Sequence, residues 1–263
     1  MSFVTPVRFR LFALFTGLAL IAAASLGWYR GSHHSDGADP AALSAQLAGA
    51  GIDAPKRAAI EGLVRAYILD HPEILPEAMD RLQARENADR LKPLRAALET
   101  PFPGAVLGNP AGTLTLVEFT DFACTYCRAS EADVAALIAA NPDLKVVLRE
   151  LPIIAPESDP AARMGLAAAA QGRFAAYHTA MFSGPRPDAH SIAAAATRAG
   201  LNLDAAQAFT KRGEVQQEID HNLAFARQLG ISGTPAFAIG GQIIPGAVGL
   251  AKLQDAVDTA RKG

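Results

Sequence analysis

Cysteine is nearly absent. The 263-residue chain has two, three positions apart, so neither a scaffold of several disulfides nor a four-cysteine zinc site can be drawn from it. What remains is a pair that does chemistry, a single staple, or half of a metal site shared between subunits, and closing so short a loop constrains the unfolded chain little. Dense basic runs are missing as well. With 24 Lys and Arg against 26 Asp and Glu the formal net charge is -2, and no stretch carries the positive charge that follows a phosphate backbone, so nucleic acid is not an expected partner. The chain has four methionines and no methionine-rich stretch, and no internal repeat is visible. Hydrophobic residues make up 50%, ample for one large domain or two small ones.

One long apolar run is present. Arg8 and Arg10 precede an almost wholly apolar stretch at 11–29, and Arg30 follows. Residues 1–30 read as a signal anchor, since the run is about the 20 residues that cross a hydrocarbon core, with Trp28 and Tyr29 at the interface and the early arginines held in the cytoplasm. The alternative is a signal peptide cleaved after small residues such as Ala22 to Ala24. No polar face interrupts the run, which counts against a buried core helix. On either reading the rest of the chain leaves the cytosol for a periplasm-like compartment where disulfides persist.

Residues 31–55, rich in Gly, Ala, Ser and Asp and including His33 and His34, show no sustained apolar period and read as a flexible linker. From Lys56 the pattern changes: Ile60, Leu63, Val64, Tyr67 and Ile68 recur at helical spacing. Pro72 suits the first turn of a second helix, whose stripe is Ile74, Leu75, Ala78, Met79 and Leu82, and Leu91, Leu94 and Leu98 extend it less regularly. This module, 56–100, cannot bury its stripes alone, so it packs on the main domain or forms a homo-oligomer.

Strands are expected at 113–119 and 144–151, the second with the continuous Val146-Val147-Leu148 run of a buried strand, and a helix at 130–140 completes a βαβ unit. A helical block follows over 159–230, broken near 183–187 and 200. Two strands, 236–239 and 242–244, flank the hairpin signal Gly240-Gly241, and a helix covers 250–261. The fold class is α/β: the order of elements over 101–263 resembles that of a thioredoxin-like domain with a helical insertion, preceded by the small helical module and the apolar export segment.

The cysteines stand in Phe122-Ala123-Cys124-Thr125-Tyr126-Cys127, where strand passes to helix. The thiolate is the reactive form of cysteine, and the unpaired N–H groups and dipole at a helix N-terminus stabilise a negative sulfur. Cys124 is therefore the expected attacking sulfur. Cys127, one turn further in, is expected to be shielded and to resolve the mixed disulfide.

Val117-Glu118-Phe119, Asp121-Phe122, the cysteine pair and Gly233-Thr234-Pro235-Ala236-Phe237 together resemble the DsbA family of thioredoxin-fold thiol–disulfide oxidoreductases, from about Leu107 to the C-terminus. The resemblance implies a cis bond between Thr234 and Pro235 facing the sulfurs, with the Thr234 backbone pairing with an extended substrate. It makes Glu118 the buried acid beneath the active site, exchanging a proton with Cys127. Asp121 is expected nearer the surface, capping the helix or shaping the loop. Thr125 and Tyr126, the active-site loop dipeptide, depart from the Cys-Pro-His-Cys of DsbA, a worked example of an acidic cysteine. They supply no positive charge, which implies a less oxidising couple.

Ile60 to Leu82, with Val64-Arg65-Ala66-Tyr67-Ile68 and His71-Pro72-Glu73-Ile74-Leu75, resembles the N-terminal domain of ScsC-like proteins, the suppressors of copper sensitivity, some of which look like trimeric isomerases. The implied function is disulfide formation or isomerisation in cysteine-containing exported proteins, with a membrane redox partner and no cofactor or metal. Two other classes stay open: a copper-binding protein holding Cu(I) on the two thiolates, and a holdase chaperone. Met164, Met181, His178, His190 and His221 are scattered at no ligand spacing.

Overall fold

The computed structural model describes residues 40–262. They form two compact units that divide between Ile74 and Leu75. The apolar run at 11–29, with the anchor and export readings placed on it, lies outside the described residues. Among the described residues no helix is long and apolar enough to cross a membrane.

The first unit holds α1 (Pro40–Gly49) and α2 (Ala54–Asp70). Part of the stretch expected to be a linker is thus helical: its alanines and leucines favour helix by propensity without marking a stripe, the signal that was sought there. Asp53 caps α2 by accepting the Lys56 N–H at 3.0 Å, and Pro55 occupies its first turn. The expected apolar stripe of α2 is present but uncovered, with Leu63 69% and Tyr67 55% exposed.

The second unit begins with α3 (Ile74–Leu91) and α4 (Arg95–Glu99). Pro72 falls in the turn before α3 rather than inside it. The module expected over 56–100 is therefore divided. Leu91 and Leu98 are buried in one cluster with Val117, Phe119 and Val147 of the sheet. Apolar residues at irregular spacing close one side of the main core.

The sheet runs β1-β3-β2-β4-β5, with β1 (Val106–Gly108), β2 (Leu114–Thr120), β3 (Leu144–Glu150), β4 (Ala236–Ile239) and β5 (Gln242–Pro245). Only β2 and β3 pair in parallel; they are joined by α5 (Thr125–Ala140), the expected βαβ unit. β1, three residues long, is too short to show a pattern. One face of the sheet carries Leu116, Val146, Leu148 and Phe237 and packs on α5 and on α11 (Leu250–Ala260). The helical block between β3 and β4 consists of α6 (Ser158–Ala170), α7 (Phe174–Phe182), α8 (Ala189–Arg198), α9 (Leu203–Phe209) and α10 (Gly213–Leu229). It adds breaks at 171–173 and 210–212 to the two expected.

On the opposite face Arg149, 2% exposed, reaches out of β3 to Glu218 at 2.7 Å and Asn222 at 3.3 Å on α10. It also donates to the carbonyls of Ala97, Leu98 and Thr100 at 2.7, 2.8 and 2.5 Å. Those carbonyls lie at the C-terminal end of α4, where helical partners run out. One buried guanidinium so ties α4, β3 and α10 together.

Candidate active site

β2 delivers the chain to the head of α5 through a buried loop. The Asp121 carboxylate accepts the Ala123 N–H at 2.8 Å and the Ile153 and Ile154 N–H groups at 2.9 Å each. It is 1% exposed, deeper than expected, and it pins the loop after β2 to the loop after β3. The helix cap belongs to another residue. Cys124 is the N-cap of α5, in extended backbone, and its Sγ accepts the Cys127 N–H at 3.4 Å. Sulfur stands in place of the usual oxygen cap, and α5 starts at Thr125, as the placing of Cys124 at a helix N-terminus implied.

The Thr234–Pro235 bond is cis, as the resemblance implied, and the Thr234 carbonyl accepts from Cys124 Sγ at 3.2 Å. Cys124, Cys127, Thr234 and Pro235, far apart in sequence, therefore meet. Both cysteines are free thiols. Cys127 is wholly buried, and burial pushes its thiol well above the ordinary range, opposed by the hydroxyls of Thr234 and Thr120 and by the Asp121 backbone. Tyr126 is 68% exposed beside the pair, and Thr125 is exposed with it. A hollow of about 400 Å³ opens beside Thr234 and Pro235, with Gln83, Asn87 and Arg90 of α3 on its other wall.

Three acids, Glu118, Glu131 and Glu150, lie close enough to feel one another's charge. Glu118 is fully buried, with neither carboxyl oxygen hydrogen-bonded among the described residues. Burial, and then the negative charge of Glu131, raise its carboxyl well above the carboxylate range. It shares a strand face with Thr120, whose hydroxyl is also buried and without a partner among the described residues. Glu150 is equally buried and equally without partners among the described residues. Its carboxyl is also raised, by burial first and then by Asp121, Glu118 and Glu131. Glu131, partly exposed, is pushed up to about 7 by burial, with Arg128 pulling the other way. His178 Nδ1 sits 3.4 Å from Glu131 Oε2. Burial among Phe122, Phe174 and Phe182 brings His178 down to about 3, so at neutral pH this is contact with a neutral ring and not an ion pair.

Arg128, one residue past Cys127, donates to the carbonyls of Phe182 and of Gly184, the latter at 2.8 Å. It locks the first turn of α5 to the end of α7. Sequence reasoning missed Arg128, Thr120, Glu131 and Glu150. Two of these carried a readable signal: Glu131 is four residues after Cys127 on one helix face, and Glu150 ends a continuous apolar strand.

The sequence model of the DSBA-like thioredoxin domain matches residues 115–258, and that of the copper resistance protein ScsC N-terminal domain matches residues 57–88. A thioredoxin-like oxidoreductase from Silicibacter pomeroyi DSS-3 is 41% identical, covering 60% of this chain and 92% of that one with a TM-score of 0.58. A linker-deleted form of ScsC from Proteus mirabilis is 27% identical, covering 80% and 97% with a TM-score of 0.62. The Na(+)/H(+) antiporter NhaA of Herminiimonas arsenicoxydans is 27% identical over 188 residues, 70% of this chain and 30% of the antiporter. The chain thus spans under a third of that curated relative. With both cysteines, the cis-proline and the strands β3, β4 and β5 inside the matched segment, and with that segment covering more than half of its length, the chain belongs to the DSBA-like thioredoxin domain family.

Proposed function

We propose that the protein is an exported thiol–disulfide oxidoreductase that forms or rearranges disulfides in cysteine-containing proteins. The observation that carries the reading is the meeting of Cys124, at the head of α5, with the Thr234 carbonyl of the cis-proline loop. In the oxidising direction a substrate thiolate attacks Cys124 Sγ of the Cys124–Cys127 disulfide. The bond's electron pair passes to Cys127, which leaves as a thiolate and takes up a proton. A second substrate thiol loses its proton and attacks the mixed disulfide, so that Cys124 departs as a thiolate facing the Cys127 N–H. Two electrons have then moved from the substrate to the protein. In isomerisation the Cys124 thiolate attacks a substrate disulfide, and another substrate thiol displaces it again.

Glu118 serves as the acid that supplies the Cys127 proton, because a buried carboxyl kept neutral is a donor to a strongly basic leaving thiolate. The hollow beside Pro235 receives the extended substrate. A membrane-bound partner reoxidises or reduces the pair, and residues 11–29 hold the chain at the inner membrane, facing the periplasm. The exposed side chains Leu63 and Tyr67 of α2, within the segment similar to the ScsC N-terminal domain, serve self-association.

The test is trapping with a cysteine-containing substrate. Cys127→Ser accumulates a mixed disulfide through Cys124, and Cys124→Ser accumulates none. A copper store would lose metal rather than trap substrate, and a holdase would keep its activity in both variants. Equal trapping by the two variants rejects the assigned order of attack. The couple's equilibrium with glutathione sets the direction, and sedimentation of Leu63→Lys against the parent checks self-association.

A further inference from the structure

Glu118 is accompanied by a second acid that the exchange chemistry has not used. Parallel pairing of β2 and β3 sets Thr120 opposite Glu150 and Glu118 opposite Leu148. Glu118, Thr120 and Glu150 therefore share one sheet face, with the acids as diagonal neighbours about the threonine. The Thr120 hydroxyl is buried and without a hydrogen-bond partner among the described residues. All four carboxyl oxygens are buried and without a hydrogen-bond partner among the described residues. Space for Glu150 depends on Gly165, where a Cβ would stand 3.3 Å from Glu150 Oε1 and 3.3 Å from the Phe122 ring.

A lone carboxylate in such surroundings is costly, and two together more so. The titratable groups around the pair are Asp121 from the loop, Glu131 from α5 and Tyr177 from α7, with the neutral His178 beyond Glu131. The Tyr177 hydroxyl donates to the Ala161 carbonyl at 3.1 Å. Of the nearby guanidinium groups, Arg128 is spent on the carbonyls that follow α7 and Arg149 lies across the sheet with Glu218. A carboxylate formed on Glu118 thus needs a donor, and a protonated Glu150 is placed to be one.

We propose that Glu150 is a positioning residue for proton exchange at Cys127: it keeps its own proton and shares it with the Glu118 carboxylate that forms when Cys127 is protonated. The proposal rests on the reading of Glu118 as the acid of the exchange. When the Cys124–Cys127 bond breaks, the thiolate of Cys127 takes up the Glu118 proton. Glu118, now negative, accepts a hydrogen bond from the Glu150 O–H, so one proton is held between two carboxyls. When Cys127 attacks a mixed disulfide, the same proton returns to Glu118 by the reverse route.

The test is single-turnover release of a peptide thiol from a mixed disulfide on Cys124, followed from pH 5 to 9 in the full chain. The variants are Glu118→Gln, Glu150→Gln, Glu150→Leu and the double variant Glu118→Gln/Glu150→Leu, each checked for native circular dichroism. Glu150→Leu is expected to slow release about tenfold at pH 7 and to move the pH midpoint upward, because the Glu118 carboxylate loses its donor. Glu150→Gln keeps an N–H for that carboxylate and stays within about threefold of the parent. In the Glu118→Gln background Glu150→Leu adds nothing, since the two residues act as a unit. An unchanged pH profile in Glu150→Leu, or an equal slowing with and without Glu118, overturns the proposal for Glu150 while Glu118 stands. No effect of Glu118→Gln overturns both.

Discussion

Replacing Glu131 by glutamine should make the protein more stable, by an amount that grows from about pH 4.5 and levels off above about pH 7. The carboxyl of Glu131 sits at about 7 because burial penalises its charge, with Arg128 offsetting part of the cost. In the unfolded chain it ionises near its ordinary 4.5. Between those values the native state retains a proton that the unfolded state has released, so stability falls as pH rises through this window and levels off above it. At about 1.4 kcal/mol for each tenfold change, the full loss is about 3 kcal/mol. Glu131 is partly exposed, and solvent screening brings the expectation to about 2 kcal/mol. Glutamine has no such titration, and its amide oxygen can still face His178 Nδ1. Urea unfolding of the reduced proteins, followed by circular dichroism at several pH values, should therefore show parent and variant alike near pH 4.5 and a gap of about 2 kcal/mol in favour of the variant by pH 8. For a unit of this size that corresponds to about 4–8 °C in Tm. Groups that do not feel the Glu131 charge cancel in the difference, while Glu118 and Glu150, which that charge raises, ionise more readily in the variant. A gap independent of pH, or one favouring the parent at pH 8, would refute the assignment of a proton held on Glu131.

Three further outcomes are expected. Arg149→Met leaves Glu218 and the carbonyls of Ala97, Leu98 and Thr100 without their donor and should cost about 3–5 kcal/mol in denaturant unfolding, while the folded fraction keeps its thiol exchange because the guanidinium lies across the sheet from the sulfurs. A loss under about 1 kcal/mol would contradict that account. Asp121→Ala strips the acceptor from one buried and two part-buried amides and should cost about 2 kcal/mol, with faster hydrogen exchange at Ala123, Ile153 and Ile154 as its local signature. Gly165→Val brings side-chain carbon against Glu150 and Phe122 and should lower stability by about 1–3 kcal/mol, readable as a fall in the urea midpoint.

Much of the site is legible along the chain because its parts are local. A C-x-x-C step after a strand, a Thr-Pro before a late strand and an acid six residues ahead of Cys124 can each be seen in a short window. Glu150 and Thr120 cannot be joined that way, since their meeting depends on the register of two strands separated by a whole helix. Arg149 is hidden for the same reason: an arginine inside an apolar strand shows no sign that three carbonyls of α4 await it. The head of α5 is legible from the change of strand to helix around the cysteines, although cysteine is not among the usual cap residues. The helix at Pro40–Gly49 has no apolar stripe to mark it, because propensity and amphipathicity are separate signals and this segment carries only the first. The division of the 56–100 segment follows from Leu91 and Leu98, whose burial is decided by the sheet beneath them and not by their spacing.

The tie made by Arg149 also bears on where this chain can be cut. Trimming it at residue 100, as the change from helices to strands invites, would remove three carbonyls from a guanidinium that has no route to water and strip Leu91 and Leu98 from the floor of the sheet. The shortest piece able to stand alone must start upstream of α3, so a protease working on the native protein should nick ahead of Leu75 and spare the stretch from there to the cysteines.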